Sequence, residues 1–100
     1  MRTNEKQLAH LARNIAALSN HPSGPRTKGG IYLERNNPGD YWRYKLVEFD
    51  GHGVKGVLGE RVHKAGEMYE ILYASVELLR STLGDDEYNK RLAKLYKNQH

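Results

Sequence analysis

A phenol ring, a guanidinium and an ammonium recur at every second position in Tyr41-Trp42-Arg43-Tyr44-Lys45. A β-strand has a side-chain period of two, which puts Tyr41, Arg43, Lys45, Val47 and Phe49 on one face and Trp42, Tyr44, Leu46 and Glu48 on the other. Cations beside an aromatic ring suit phosphates and stacked bases. The same residues also occur as ordinary solvated groups on the open face of an antiparallel sheet. We therefore expect Trp42, Tyr44 and Leu46 to meet the core and Arg43 and Lys45, with Tyr41 at their edge, to form a basic surface. Lys55 is a further candidate for that surface.

A second source of cations is the stretch "SNHPSGPRTKGG", residues 19 to 30, which carries Arg26 and Lys28 and no acidic residue. Its backbone N–H groups invite comparison with a phosphate-binding loop. Gly24 and Gly29 have the Walker A spacing, but Gly30-Ile31 and a strand follow where that motif needs Lys-Ser/Thr and a helix, so the helix dipole is missing. What remains is a solvated loop whose two cations extend an anion-binding surface. A third source is Lys90, Arg91, Lys94 and Lys97, expected on the outer face of a final helix, where they complement the negative end of its dipole and can also touch phosphates.

Bond-breaking chemistry finds less support. His10, His21, His52, His63 and His100 contain no pair at the i, i+4 spacing of a helical metal site, and the chain has no cysteine, so no metal centre and no cofactor are expected. Glu48, Asp50 and His52 lie close in sequence, but Asp50 is the natural turn former of "DGHG" and no nucleophile accompanies it. We expect no catalysis.

The elements that must position these residues follow from periodicity. Leu8, Leu11, Ile15 and Leu18, with Ala12 and Ala16, mark a helix over 4 to 18. Thr3 or Asn4 can cap it, Asn4 and Gln7 have capping-box spacing, Asn20 suits the exit and Pro22 forbids continuation. Strands are expected at 30 to 35, 41 to 49 and 53 to 59, separated by the turn signals "NNPGD" and "DGHG", giving an antiparallel meander. A two-residue turn at Asp50-Gly51 sets Phe49 opposite His52. A four-residue loop sets Phe49 opposite Val54 and Glu48 opposite Lys55, and the cross-strand charge pair favours it.

From Arg61 to Leu83, apolar residues alternate at three and four, through Val62, Ala65, Tyr69, Leu72, Val76 and Leu79. Met68, Ile71, Tyr73 and Leu78 widen the apolar arc to roughly 220°, beyond a single core-facing stripe. That helix should pack on two sides, against the sheet and against the terminal helices; a two-fold homodimer through 61 to 83 is the alternative. Gly84 supplies a left-handed stop, and Asp85 or Asp86 caps a last helix to about Asn98 with Tyr88, Leu92, Leu95 and Tyr96 inward. The fold class is α+β, in the order αβββαα, as a single domain over residues 1 to 100.

Charged residues are 28% and apolar types 38% of the chain, which is globular rather than disordered composition. No apolar run reaches the ~20 residues of a bilayer span and the first ten residues lack the apolar core of a signal peptide, so no membrane contact and a cytoplasmic location are expected. The net charge of +4 leans toward anionic partners.

In topology, the order helix, three strands, helix resembles the double-stranded-RNA-binding domain, with Arg61, His63 and Lys64 at the start of the second helix. A meander followed by a helix also resembles the plant-type and integrase-type sheet readers of the major groove, whose pattern Trp42, Leu58-Gly59 and Ala65 echo. Both resemblances imply nucleic-acid binding. The expected function is a small non-catalytic DNA or RNA binder using Arg26, Lys28, Tyr41, Arg43, Lys45 and Lys55. The alternative is a protein-interaction module, a phage- or mobile-element-type inhibitor or adaptor that binds a host protein through aromatic hot spots.

Overall fold

A computed structural model describes residues 4 to 36 and 42 to 97. The chain runs α1 (Glu5–Leu18), β1 (Ile31–Asn36), β2 (Arg43–Phe49), β3 (Val54–Gly56), α2 (Ala65–Leu83) and α3 (Asp85–Lys97). This is the expected αβββαα order of an α+β fold. Tyr41, the tip of the "NNPGD" turn, and the side chains of Tyr96 and Lys97 lie outside the described residues.

The start of α1 is built as its sequence dictates. Asn4 Oδ1 accepts from the Gln7 N–H at 2.9 Å and Gln7 Oε1 accepts from the Asn4 N–H at 3.0 Å, a reciprocal box that satisfies two otherwise orphaned donors and is worth about 1 kcal/mol. The other end is closed as fully. Asn20 takes a left-handed backbone at φ 58°, its N–H donates to the Ala17 carbonyl at 3.2 Å and the His21 N–H to the Ala16 carbonyl at 2.8 Å. That pattern is a Schellman motif. The Ile15 carbonyl takes the Ser19 N–H and hydroxyl. The remaining Leu18 carbonyl receives a guanidinium N–H of Arg91, at 2.6 Å, from α3.

β1, β2 and β3 form one antiparallel sheet in that order. Phe49 lies opposite Val54 and Glu48 opposite Lys55, the register of the four-residue loop. Asp50 closes that loop by accepting the N–H groups of His52 at 2.9 Å and Gly53 at 2.8 Å. On the core face, Ile31 and Leu33 of β1 join Tyr44 and Leu46 of β2 against Leu8, Ile15, Met68 and Leu72. The helix α1 packs against α2, β1 and α3 and so carries much of the core.

Four expectations are corrected. First, Trp42 is 45% exposed rather than buried. It precedes β2 and lies under the Arg35 guanidinium, 4.1 Å from its ring centre, while Arg35 also pairs with Glu5 at 2.9 Å. Second, the sheet's other face is not open, for Val47 on it is fully buried. Its cross-strand neighbours are Tyr32 and Gly56, and a side chain at Gly56, on that same face, would collide with the Gly59 carbonyl. The 57 to 60 turn therefore folds over the sheet, and only glycine leaves room for it. Third, α2 begins at Ala65 rather than Arg61. The His63 N–H and carbonyl are both spent on Tyr44 at 2.8 Å, which holds residues 61 to 64 extended along β2. Fourth, Arg91 points inward, to α1.

The broad apolar arc of α2 is real and only partly covered. Met68, Leu72 and Val76 are buried, whereas Tyr73 is 51% and Leu78 67% exposed. Gly84, with φ 84°, ends α2 and its carbonyl accepts the Tyr88 N–H at 3.0 Å, so Gly84 itself, rather than the expected Asp85 or Asp86, stands at the cap position of α3. Among the described residues no helix is long and apolar enough to cross a membrane.

Candidate nucleic-acid interface

The candidate cations divide into two groups. Arg26 and Lys28 stand exposed on the 19 to 30 loop. That loop is long, yet its main chain is pinned to the sheet: the Gly24 N–H donates to the Ile31 carbonyl at 3.2 Å and the Ile31 N–H to the Pro22 carbonyl at 2.9 Å. The Gly29 N–H donates to the Phe49 carbonyl at 2.6 Å and the Phe49 N–H to the Gly30 carbonyl at 2.9 Å. Gly30 is required there, because a side chain would meet the Gly24 and Thr27 carbonyls. The stem of Lys28 lies beside Gly51, so this cation sits at the β2–β3 hairpin end of the sheet.

Arg43 and Lys45 belong to the opposite half of β2. Arg43 is six residues from Phe49, roughly 20 Å along a strand, so it does not converge with Arg26 and Lys28 on one cluster. It is half-buried, and a guanidinium N–H donates to the Trp42 carbonyl at 3.3 Å. The Lys45 side chain is 18% exposed, with Glu34 as its cross-strand register partner and Glu60 Oε2 at 3.4 Å. Glu60 Oε1 meanwhile accepts the Gly56 N–H at 2.6 Å. That backbone hydrogen bond, and after it the Lys45 ammonium, hold the Glu60 carboxyl below the usual carboxylate range. Lys45 thus fastens the 57 to 60 turn to the sheet. Lys55 is exposed on β3, opposite Glu48.

A third basic arrangement spans elements far apart in sequence. A cleft of about 500 Å³ lies between α1, the start of the loop and α3, with Arg13, His21, Arg91 and Lys94 among its walls and, among the described residues, no carboxylate. His21 connects it to the loop, since its Nδ1 is 2.9 Å from the Gly29 carbonyl and 4.0 Å from Glu48 Oε1. Arg91 is held by Glu87 at 2.8 Å, whose carboxyl it pulls below the usual range. Arg13 lies off the Leu8-Leu11-Ile15-Leu18 stripe of α1 and Lys94 belongs to the dense cation run expected on the outer face of α3; only the docking of α1 on α3 brings them together.

No family model, curated protein or solved structure matches this chain, so the functional reading rests on its own geometry.

Proposed function

We propose that this protein binds nucleic acid without catalysis, with the 19 to 30 loop as its primary phosphate contact. One observation supports this most: Arg26 and Lys28 are solvent-exposed on a loop that holds no carboxylate and whose backbone is fixed by hydrogen bonds to β1 and β2. A preorganised loop loses little conformational freedom when it meets a phosphate chain. Lys55 lies on the neighbouring strand, while Arg43 and Lys45 are secondary contacts because they already hold other groups. DNA and RNA are both substrates of this reading, for phosphate contacts dominate it.

Fluorescence anisotropy with mixed-sequence DNA and RNA at increasing salt tests it. Log K should fall linearly with log salt, and the double variant R26Q/K28Q should weaken binding to all sequences and lower the slope by about 2. Undetectable binding to either polymer at low salt overturns the proposal.

A second reading, a protein-interaction module or homodimer, is favoured by the exposed Tyr73 and Leu78 on α2. Capture from host lysate separates the two. Recovery of partners that nuclease abolishes favours nucleic acid, whereas nuclease-resistant recovery of one protein favours the second reading.

A further inference from the structure

We infer that the cleft between α1, the loop and α3 is a phosphate-monoester site that takes a nucleotide, either free or at the end of a nucleic-acid strand. The strand-end source rests on the nucleic-acid reading above; the free-nucleotide source does not. The walls supply opposed but unopposing elements: Arg13 from α1 and Lys94 from α3, neither with an ion-pair partner among the described residues, face one cleft. Arg91 spends Nε on Glu87 and one N–H on Leu18. Its guanidinium has further donors.

The end of a helix ordinarily repels an anion, because unpaired carbonyls gather there with the negative pole of the dipole. Here each of the last four carbonyls of α1, from Ile15 to Leu18, has a donor, and one of those donors is the Arg91 cation. The pole beside the cleft is thereby largely neutralised. Among the described residues, Glu87 pairs with Arg91 and also feels the Lys94 charge, and Glu48 lies 4.0 Å from His21; neither is in the lining.

The His21 ring is fixed by the Gly29 carbonyl, an acceptor that places the proton on Nδ1 and leaves Nε2 as the second polar atom of the ring. The lining also includes the apolar Ala16, Ala17, Pro22 and Leu95 together with the polar Asn20 and Ser23. A volume of about 500 Å³ lies within the range that holds small ligands. A lining that combines cations with apolar side chains suits a phosphate and its attached base. A monoester carries about −1.5 to −2 charge at neutral pH and three strong acceptor oxygens, as a phosphorylated side chain does. An internal diester carries a single charge, so a cleft lined by Arg13, Lys94 and the spare donors of Arg91 favours the terminal group.

The full chain is titrated with labelled single strands of one sequence carrying either phosphate or hydroxyl at the 5′ or 3′ end, and separately with AMP and adenosine. A phosphorylated end should bind about tenfold tighter than the hydroxyl end, the return expected from a charge-assisted hydrogen bond. The variant R13Q/K94Q should lose that preference while keeping its thermal midpoint, whatever it loses in affinity common to both kinds of end; Arg91 is left intact because it caps α1. Saturable binding of AMP but not adenosine, without end discrimination, supports the free-nucleotide source. If AMP binds and no strand does, the cleft stands and the nucleic-acid proposal fails. Equal affinity for phosphate and hydroxyl at both ends, with no AMP binding, overturns the inference, and so does a preference that R13Q/K94Q retains.

Discussion

At the scale of the residue, Lys45 illustrates how a side chain can be read correctly in orientation and wrongly in environment. Its alternation with Tyr44 and Leu46 puts it on the face away from the core, as a strand requires. What the alternation could not convey is Glu60, fifteen positions on, brought over by a turn that depends on Gly56 having no side chain. The Glu60 carboxyl is depressed mainly by the Gly56 N–H and then by Lys45. A depressed acid stabilises the fold at pH above its unfolded value and loses that contribution as pH falls through its lower folded one. A carboxyl-detected titration should therefore give Glu60 a midpoint below that of an ordinary glutamate, and in E60Q the acid-side decline of the thermal midpoint should become shallower. A Glu60 midpoint at or above the ordinary value removes the tether. Trp42 teaches the complementary lesson: a large ring is a poor guide to burial when it stands ahead of a strand and has a guanidinium to stack on.

At the scale of the element, order and type were legible because their signals are local. The box at Asn4 and Gln7, the Asn20 exit, the "DGHG" loop and the Gly84 stop each act within a few residues, and each element they bound is present. The misplaced start of α2 has a non-local cause. Val62 continues the helical spacing, but the His63 main chain is taken by Tyr44, and pairing along a strand overrides periodicity. Docking was equally illegible, and Arg91 is its clearest case. Read as an outward cation of α3, it donates to the Leu18 carbonyl seventy-three positions away in the chain. Replacing Arg91 with Met retains the stem and leaves that carbonyl without its cationic donor. Chemical denaturation should show a loss of about 1.5–3 kcal/mol, the range for hydrogen bonds to charged groups. Arg91→Lys should recover part of it, and an unchanged midpoint for Arg91→Met excludes a role for this residue in joining α1 to α3. Buried Asn14 was not foreseen either: its Nδ2 meets His10 Nε2 at 3.4 Å, and its Oδ1 has no partner among the described residues.

At the scale of the whole molecule, the cations are distributed rather than gathered. With +4 overall, the loop, the cleft and β2 each present a few charges, and a long polyanion is the partner that can reach several at once. The apolar surplus is separate, on α2. Leu78→Lys removes its most exposed large side chain, so stability should change by no more than about 0.5 kcal/mol, as at ordinary surface positions. Sedimentation of the unaltered protein and of this variant should give the same monomer mass; a concentration-dependent mass that the substitution abolishes transfers weight to the homodimer. Along β2 another route to association is closed. The far side of β2 is occupied along its length, by β3, then by the Val57 N–H on the Leu46 carbonyl, then by His63 on both main-chain groups of Tyr44. Unpaired strand edges are where foreign peptides add on and where amyloid templating begins. β2 offers no such template, so a visitor on that side must be recognised through side chains alone.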